Sequence, residues 1–264
     1  MDKAEQGADE VDQRYIVPGL ERGLHILQLF NATGESMTLA ELAEGIGLSR
    51  SSAYRLVYTL EKSGFLSRDA QSKRYALTSR VMTLGYAFLA ARPLVETVQP
   101  FLQRISQRTR LAAHLVELDG TETVYLARVA PSARVISNLQ VGMRLPAHRT
   151  VSGRVLLSGL TADGLAALYP RMVSDHPDYP PPELQDLVAR AKADRERGFV
   201  MGESAFDPGI ESYATPVKTG SGRITAALNV IGPKQVLGDL GGKEALDEIV
   251  GSEARQLSRA LGWG

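Results

Sequence analysis

Residues 48–66, LSRSSAYRLVYTLEKSGFL, gather hydrogen-bond donors at one end of a helix. Ser49, Arg50, Ser51, Ser52, Tyr54 and Arg55 fall within its first two turns, and the first acid is Glu61. Ala53, Leu56, Val57 and Leu60 keep the i, i+3, i+4, i+7 rhythm of a helix buried along one face. Such a helix carries chemistry suited to a polyanion. Arginine pairs bidentately with guanine, serine bonds bases or phosphates, and tyrosine donates to phosphate. The unpaired amides of a helix N-terminus add their own attraction for phosphate.

The flanking residues say how this helix is held. Residues 18–31, PGLERGLHILQLFN, read as a helix with Pro18 in its first turn and Leu20, Leu24, Leu27 and Phe30 near one face. Thr38 and Glu41 then form a capping-box pair ahead of Leu39, Leu42, Ala43 and Ile46. Gly47 ends that helix and Ser49 caps the next. Two short amphipathic helices around a glycine turn read as helix-turn-helix. Behind them, FLSRDAQSKRYAL reads as a hairpin, with Leu66 and Arg68 before a polar turn and Tyr75 and Leu77 after it. A hairpin in this place is a wing, and Lys73 and Arg74 at its tip are expected backbone or minor-groove contacts. Residues 79–92 read as a linker helix that breaks at Pro93, with Val81, Leu84, Phe88 and Leu89 as packing candidates.

Bulk composition excludes several function classes. The 264 residues are 44% hydrophobic and 23% charged, ordinary for globular domains and enough for two cores. No apolar run reaches 18 residues, so no membrane span is expected. Residues 1–14 carry five acids against Lys3 and Arg14 and lack an apolar stretch, which reads as a disordered leader rather than a secretory signal. The absence of cysteine rules out disulfides and thiol chemistry and fits a cytoplasmic protein. Net charge is zero, yet residues 15–92 hold nine Lys or Arg against six Asp or Glu. The basic excess lies where the helix-turn-helix does.

Residues 93–264 alternate strands and helices in the manner of an α+β sensor domain. Strands are expected on both sides of the Asp119-Gly120 turn, over 133–142, and on both sides of 219–222. Helices are expected within 150–160 and 180–198, and a last one over 239–261. RTVSGRV offers the amides of Val151, Ser152 and Gly153 at a helix start, a candidate anion site. Alternation in RITAALNVIG sets Thr225, Ala227, Asn229 and Ile231 on one sheet face, so Asn229 either bonds within the fold or meets a ligand.

Catalysis finds little support. His25, His114, His148 and His176 show no metal-ligand spacing, there is no G-x-S-x-G elbow, and no Ser or Thr follows Lys243 in GDLGGKEA. His148 beside Arg149 reads as structural or as a pocket wall. No enzyme, metal site or cofactor is expected.

From Tyr15 onward the chain resembles the IclR-type bacterial transcriptional regulators. The residues that carry this are GLERGLHILQLF and MTLAELAEGIGLSRSSAYRLVYTLEKSGFLSRDAQSKRYALT, then GMRLPAHRTVSGRVLLSGL and RERGFVMGESAFDPGIESYATPVKTGSGRITAALNVIGP. The resemblance implies a winged helix-turn-helix over 15–78, the linker helix over 79–92 and a GAF-like effector-binding domain over 93–264. It also implies homodimers that pair into tetramers, binding to double-stranded operator DNA, and control of a catabolic operon by a small carboxylate. In similar proteins the carboxylate meets amides at the positions of Val151 and Ser152, beside Gly153. Leu145, Gly202, Ser212, Asn229 and Ile231 match further pocket positions. Members that sense small oxoacids carry Asp, Cys, Ser and Ser where this chain has Gly202, Ser212, Asn229 and Ile231. Gly202 and Ile231 would make a roomier, less polar pocket. GRVLLSGL and TAALNV are similar to the branch that senses aromatic acids such as protocatechuate or 4-hydroxybenzoate, with pyruvate or glyoxylate as the alternative effectors.

Overall fold

The computed structural model describes residues 15–33, 36–130, 139–170 and 178–264. The leader read over 1–14 lies outside them, as does most of the strand read over 133–142. Two compact units follow one another, Met1–Ala91 and Arg92–Gly264.

The first unit is built from α1 (Pro18–Thr33), α2 (Leu39–Gly45), α3 (Arg50–Lys62), a two-stranded sheet of β1 (Leu66–Arg68) and β2 (Tyr75–Leu77), and α4 (Arg80–Ala90). Local chemistry sets the helix boundaries. Thr38 Oγ1 accepts from the Glu41 amide at 3.2 Å while Glu41 Oε2 accepts from the Thr38 amide at 2.6 Å, closing the expected capping box. Gly47 takes φ +63°, a left-handed conformation that glycine adopts without steric cost. Ile26, Phe30, Met37, Leu42, Val57, Leu66 and Tyr75 form the core.

Only part of the expected α1 stripe is buried. Leu20 and Leu24 are exposed, and Ile26 takes the inward position. The helix is apolar at more positions than one face can hold, and packing against α3 selects among them.

The second unit opens with α5 (Pro93–Thr97) and α6 (Gln99–Thr109), then β3 (Ala112–Asp119), β4 (Glu122–Val129) and β5 (Arg144–Pro146). A single 3-10 turn, Ala147–Arg149, leads into α7 (Val151–Leu157), followed by α8 (Ala162–Leu168), α9 (Leu184–Arg197), β6 (Val200–Glu203), β7 (Ile210–Lys218) and β8 (Ile224–Pro233). α10 (Lys234–Asp239), α11 (Gly242–Leu246), a π-helical turn at Asp247–Gly251 and α12 (Ser252–Ala260) complete it. Gly241 and Gly242, at φ +99° and +72°, separate α10 from the C-terminal helix, which begins at Gly242 where about 239 was expected and runs through the π turn to Ala260.

All six strands pair antiparallel in the order β5-β4-β3-β8-β7-β6. One face, with Leu115, Leu126, Tyr213, Leu228 and Val230, packs against α6 and the C-terminal helices. There Arg104 of α6 grips Glu253 of α12 through contacts of 2.7 to 3.1 Å. The opposite face, with Ala112, Val116, Tyr125, Ala214 and Ala227, receives Val151, Val155 and Leu156 of α7. Outside α7 lie α8 and α9, joined to it through Ala147, Leu157, Leu165, Tyr169 and Leu187. Arg154 of α7 makes a two-pronged ion pair with the buried Asp194 of α9, at 2.7 and 2.9 Å.

Gly153 fixes where α7 begins. A Cβ placed on it would sit 2.0 Å from the Ala147 carbonyl oxygen, a main-chain atom that cannot rotate away. Gly153→Ala should therefore shift α7 and cost about 1–3 kcal/mol or more, read as a lower melting temperature of the second unit while the first melts as before.

Candidate functional site

Two surfaces concentrate functional chemistry, one in each unit. In the first, Ser49 caps α3 by accepting from the Ser52 amide at 3.3 Å, and its hydroxyl also meets those of Ser51 and Ser52 at 3.1 Å. Ala53 and Val57 are wholly buried, which turns Arg50, Ser51, Tyr54 and Arg55 outward. Among the described residues, the guanidinium groups of Arg50 and Arg55 make no hydrogen bond or ion pair. The first turn of α3 holds no acid. The result is a solvated front of hydroxyls and guanidinium groups on a rigid helix.

The wing differs from its expected form at one residue. Asp69 Oδ1 accepts from the amides of Gln71 and Ser72 and from the Ser72 hydroxyl, which organises the turn and holds its carboxyl below the ordinary carboxylate range. Lys73 lies at the exposed tip with φ +57°, its ammonium bonded to the Ala70 carbonyl at 2.5 Å. Arg74 is not a free tip cation. Its guanidinium donates to the Ser36 hydroxyl at 2.9 Å and the Ser36 carbonyl at 2.7 Å, and lies 3.3 Å from Glu41. It fastens the hairpin to the start of α2, so this position serves architecture and Lys73 is the outward cation of the tip.

In the second unit, a cavity of about 260 Å³ opens between α7 and the sheet. Leu145, Val151, Ser152, Ser212, Asn229 and Ile231, expected from separate stretches of sequence, meet on its wall. Cross-strand register explains the meeting: Gly202 pairs with Ser212, Ser212 with Ile231 and Ile231 with Ala112, one row across the sheet. Gly202 does not line the cavity itself. A Cβ there would approach Val151 at 4.0 Å, so its missing side chain is free space beside the wall.

Gly153 also stands apart, because its amide donates to the capping Thr150 hydroxyl at 2.9 Å. The sequence offered three amides at this helix start, and the cap consumes one. Among the described residues no hydrogen bond takes up the Val151 or Ser152 amide.

Several wall residues carried no readable signal in the sequence. Tyr125, Met143 and Ile210 supply apolar surface, while Glu203 and Asp207 stand at the exposed rim. Phe206 lines the cavity and meets Tyr179 edge-on at 5.4 Å, and the Arg149 guanidinium lies 5.2 Å from the Tyr179 ring on its other contact. His148 points elsewhere, edge-on to Tyr169 at 6.1 Å. Burial pushes the Tyr125 phenol upward, so it stays protonated. Its polar neighbour is the buried Ser152 hydroxyl, which makes no well-formed hydrogen bond.

Beside the wall, on the same sheet face, His114 of β3 pairs in register with Asn229 of β8. Its Nδ1 lies 2.9 Å from Asn229 Oδ1, its ring meets Tyr125 edge-on, and its Nε2 is buried without a partner. Burial lowers its pKa to about 4, so the ring is neutral. Among the described residues no group of His, Asp and Glu could hold a metal ion, and no helix is long and apolar enough to cross a membrane.

Residues 19–70 match the IclR helix-turn-helix domain, and residues 86–259 match the bacterial transcriptional regulator IclR C-terminal domain. The chain belongs to the IclR family of bacterial transcriptional regulators. It is similar to the Pca regulon regulatory protein of Pseudomonas putida, 33% identical over 80% of this chain and 72% of that one. The p-hydroxybenzoate hydroxylase transcriptional activator of Acinetobacter baylyi is 30% identical over 84% of this chain and 83% of its own. Among solved structures, an IclR homolog from Microbacterium hydrocarbonoxydans complexed with 4-hydroxybenzoate shares the fold. Its TM-score is 0.74 at 23% identity, over 92% of this chain and 98% of that one. This IclR regulator is thus a DNA-binding protein with a small-molecule-binding domain, and not an enzyme.

The neutral His114 has a thermodynamic consequence. Its folded pKa of about 4 lies below the ordinary 6.5, so between those values the unfolded chain binds the extra proton. Stability of the second unit should fall as pH drops through 6.5 and level off near 4, a loss of up to about 3 kcal/mol. Urea melts across that window should show the slope, and His114→Gln should reduce it. His148, also lowered chiefly by burial, accounts for part of what remains.

Proposed function

We propose that this IclR regulator controls a catabolic operon in response to an aromatic carboxylate of the 4-hydroxybenzoate or protocatechuate type. The observation that carries this reading is the cavity beside α7: about 260 Å³, walled by Tyr125, Phe206, Ile210 and Ile231, with the Val151 and Ser152 amides, unpaired among the described residues, at its wall. A cavity of roughly 150 Å³ already accepts benzene, so a substituted ring fits here, whereas a two- or three-carbon oxoacid would leave most of the space empty. The names of the Pseudomonas and Acinetobacter relatives support the same class. Titration calorimetry should show 4-hydroxybenzoate or protocatechuate binding at least tenfold more tightly than glyoxylate or pyruvate, and the reverse order would refute the assignment.

The DNA contacts in this reading are Ser49, Arg50, Ser51, Ser52, Tyr54 and Arg55 in the major groove, with Lys73 on the backbone. A homodimer would set two α3 helices on half-sites about 34 Å apart, or a multiple of that. Support for dimerisation comes from α4, whose Met82, Leu84, Tyr86 and Phe88 are exposed. Ligand in the cavity would shift operator affinity by a coupling of about 1–3 kcal/mol. Arg50→Ala should cost about 1–3 kcal/mol on the operator and relax base preference. Lys73→Ala should weaken all duplexes alike and flatten the salt dependence. Fluorescence anisotropy on operator and random duplexes, at several salt concentrations, separates the two.

A further inference from the structure

Asn229 is an ambiguous reader, because its side chain ends in an acceptor and a donor of nearly equal shape. The structure removes the ambiguity through a neighbour of Asn229 on the same sheet face that does not itself line the cavity. His114 sits directly across from Asn229 in the β3–β8 ladder, fully buried, with Nδ1 2.9 Å from Asn229 Oδ1. The ring is neutral, so one nitrogen carries the proton. Two arrangements are conceivable. With the proton on Nδ1, the ring donates to Oδ1 and buries a bare Nε2 lone pair. With the proton on Nε2, the fold would bury an N–H that has no acceptor, since Nε2 is without a partner. An orphaned buried N–H is the rarer and costlier of the two. The proton therefore belongs on Nδ1, and Oδ1 of Asn229 is engaged.

Asn229 lines the cavity. Among the described residues no acceptor takes up its Nδ2, and that nitrogen is not sealed off from the cavity. The amide thus turns its NH2 end toward a ligand. Val151 and Ser152, whose amides no hydrogen bond among the described residues takes up, line the same cavity and add donors to it.

We infer that His114 is a positioning residue that locks Asn229 as a hydrogen-bond donor, making this end of the cavity select a carboxylate oxygen over a neutral group carrying its own N–H. The inference rests on the aromatic-carboxylate reading above and deepens it. A ligand with N–H hydrogens at this end would meet donor against donor, a mismatch that such sites reject strongly.

The test compares 4-hydroxybenzoate with 4-hydroxybenzamide, which have the same ring and nearly the same shape, by titration calorimetry on the full chain. Wild type should favour the carboxylate. In His114→Phe the Asn229 amide is free to turn over, and the ratio of the two affinities should fall at least tenfold. His114→Gln, whose side-chain amide can again donate to Oδ1, should recover most of that ratio. Asn229→Asp places an acceptor toward the ligand and should invert the preference. An unchanged ratio in a His114→Phe protein that melts like wild type would overturn the inference. Should that variant not fold, an Asn229→Asp protein that still favours the carboxylate would overturn it instead. Wild type that binds neither compound would bring down the aromatic-carboxylate reading itself, and this inference with it.

Discussion

Among the described glycines, Gly153 leaves the least room for a Cβ, because the Ala147 carbonyl oxygen would lie 2.0 Å from it. With only a hydrogen on its α-carbon, position 153 lets α7 start directly against the 3-10 turn that follows β5. Val151, Val155 and Leu156 of α7 pack on the sheet face, and Val151 and Ser152 line the cavity between helix and sheet. Asp194 reinforces the placement from outside by holding Arg154, so α7 is fixed at its start by backbone packing and along its length by an ion pair. A site on a helix pinned in this way is pre-organised, which lowers the ordering cost that a ligand must offset.

The DNA-binding unit solves a different problem with the same economy. Its helix α3 shows polar groups to solvent while being held from behind. Ala53 and Val57 hold it, and the serine cluster at its start both caps the helix and dresses its front. The wing is braced by Arg74 through Ser36, which frees Lys73 to be the outward cation. Charge and scaffold are thus divided between two adjacent residues that look alike in sequence.

How much was legible in the sequence follows from the range of the interactions. The capping box, the glycine turn and the Ser49 cap are made by neighbours a few residues apart, so α2 and α3 were readable almost to their ends. The strands around Asp119-Gly120 and 219–222 were also clear, because turn chemistry is local. Arg74 was not, since its partner Ser36 lies 38 residues away and nothing nearby announces it. The α1 stripe was only half right: too many apolar residues left the choice of face to the partner helix. β5 and β6, three and four residues long, are too short to show alternation. His114 stayed hidden for another reason. It sits in AAHLVELD, whose first five residues are all buried, so hydrophobicity carries no face information and only the pairing with β8 reveals what it touches.

That same pairing governs the order in which the protein can be completed. β3 finds its neighbour β8 more than a hundred residues later, and Arg104 waits for Glu253, 149 positions downstream. The helix-turn-helix and wing need nothing beyond the first third of the chain. On a ribosome, where early domains fold as they emerge, the DNA-binding unit is finished while the second unit is still missing its central strand and its last clasp. A nascent chain interrupted late would therefore carry a formed DNA-binding domain with an unfinished small-molecule-binding domain attached.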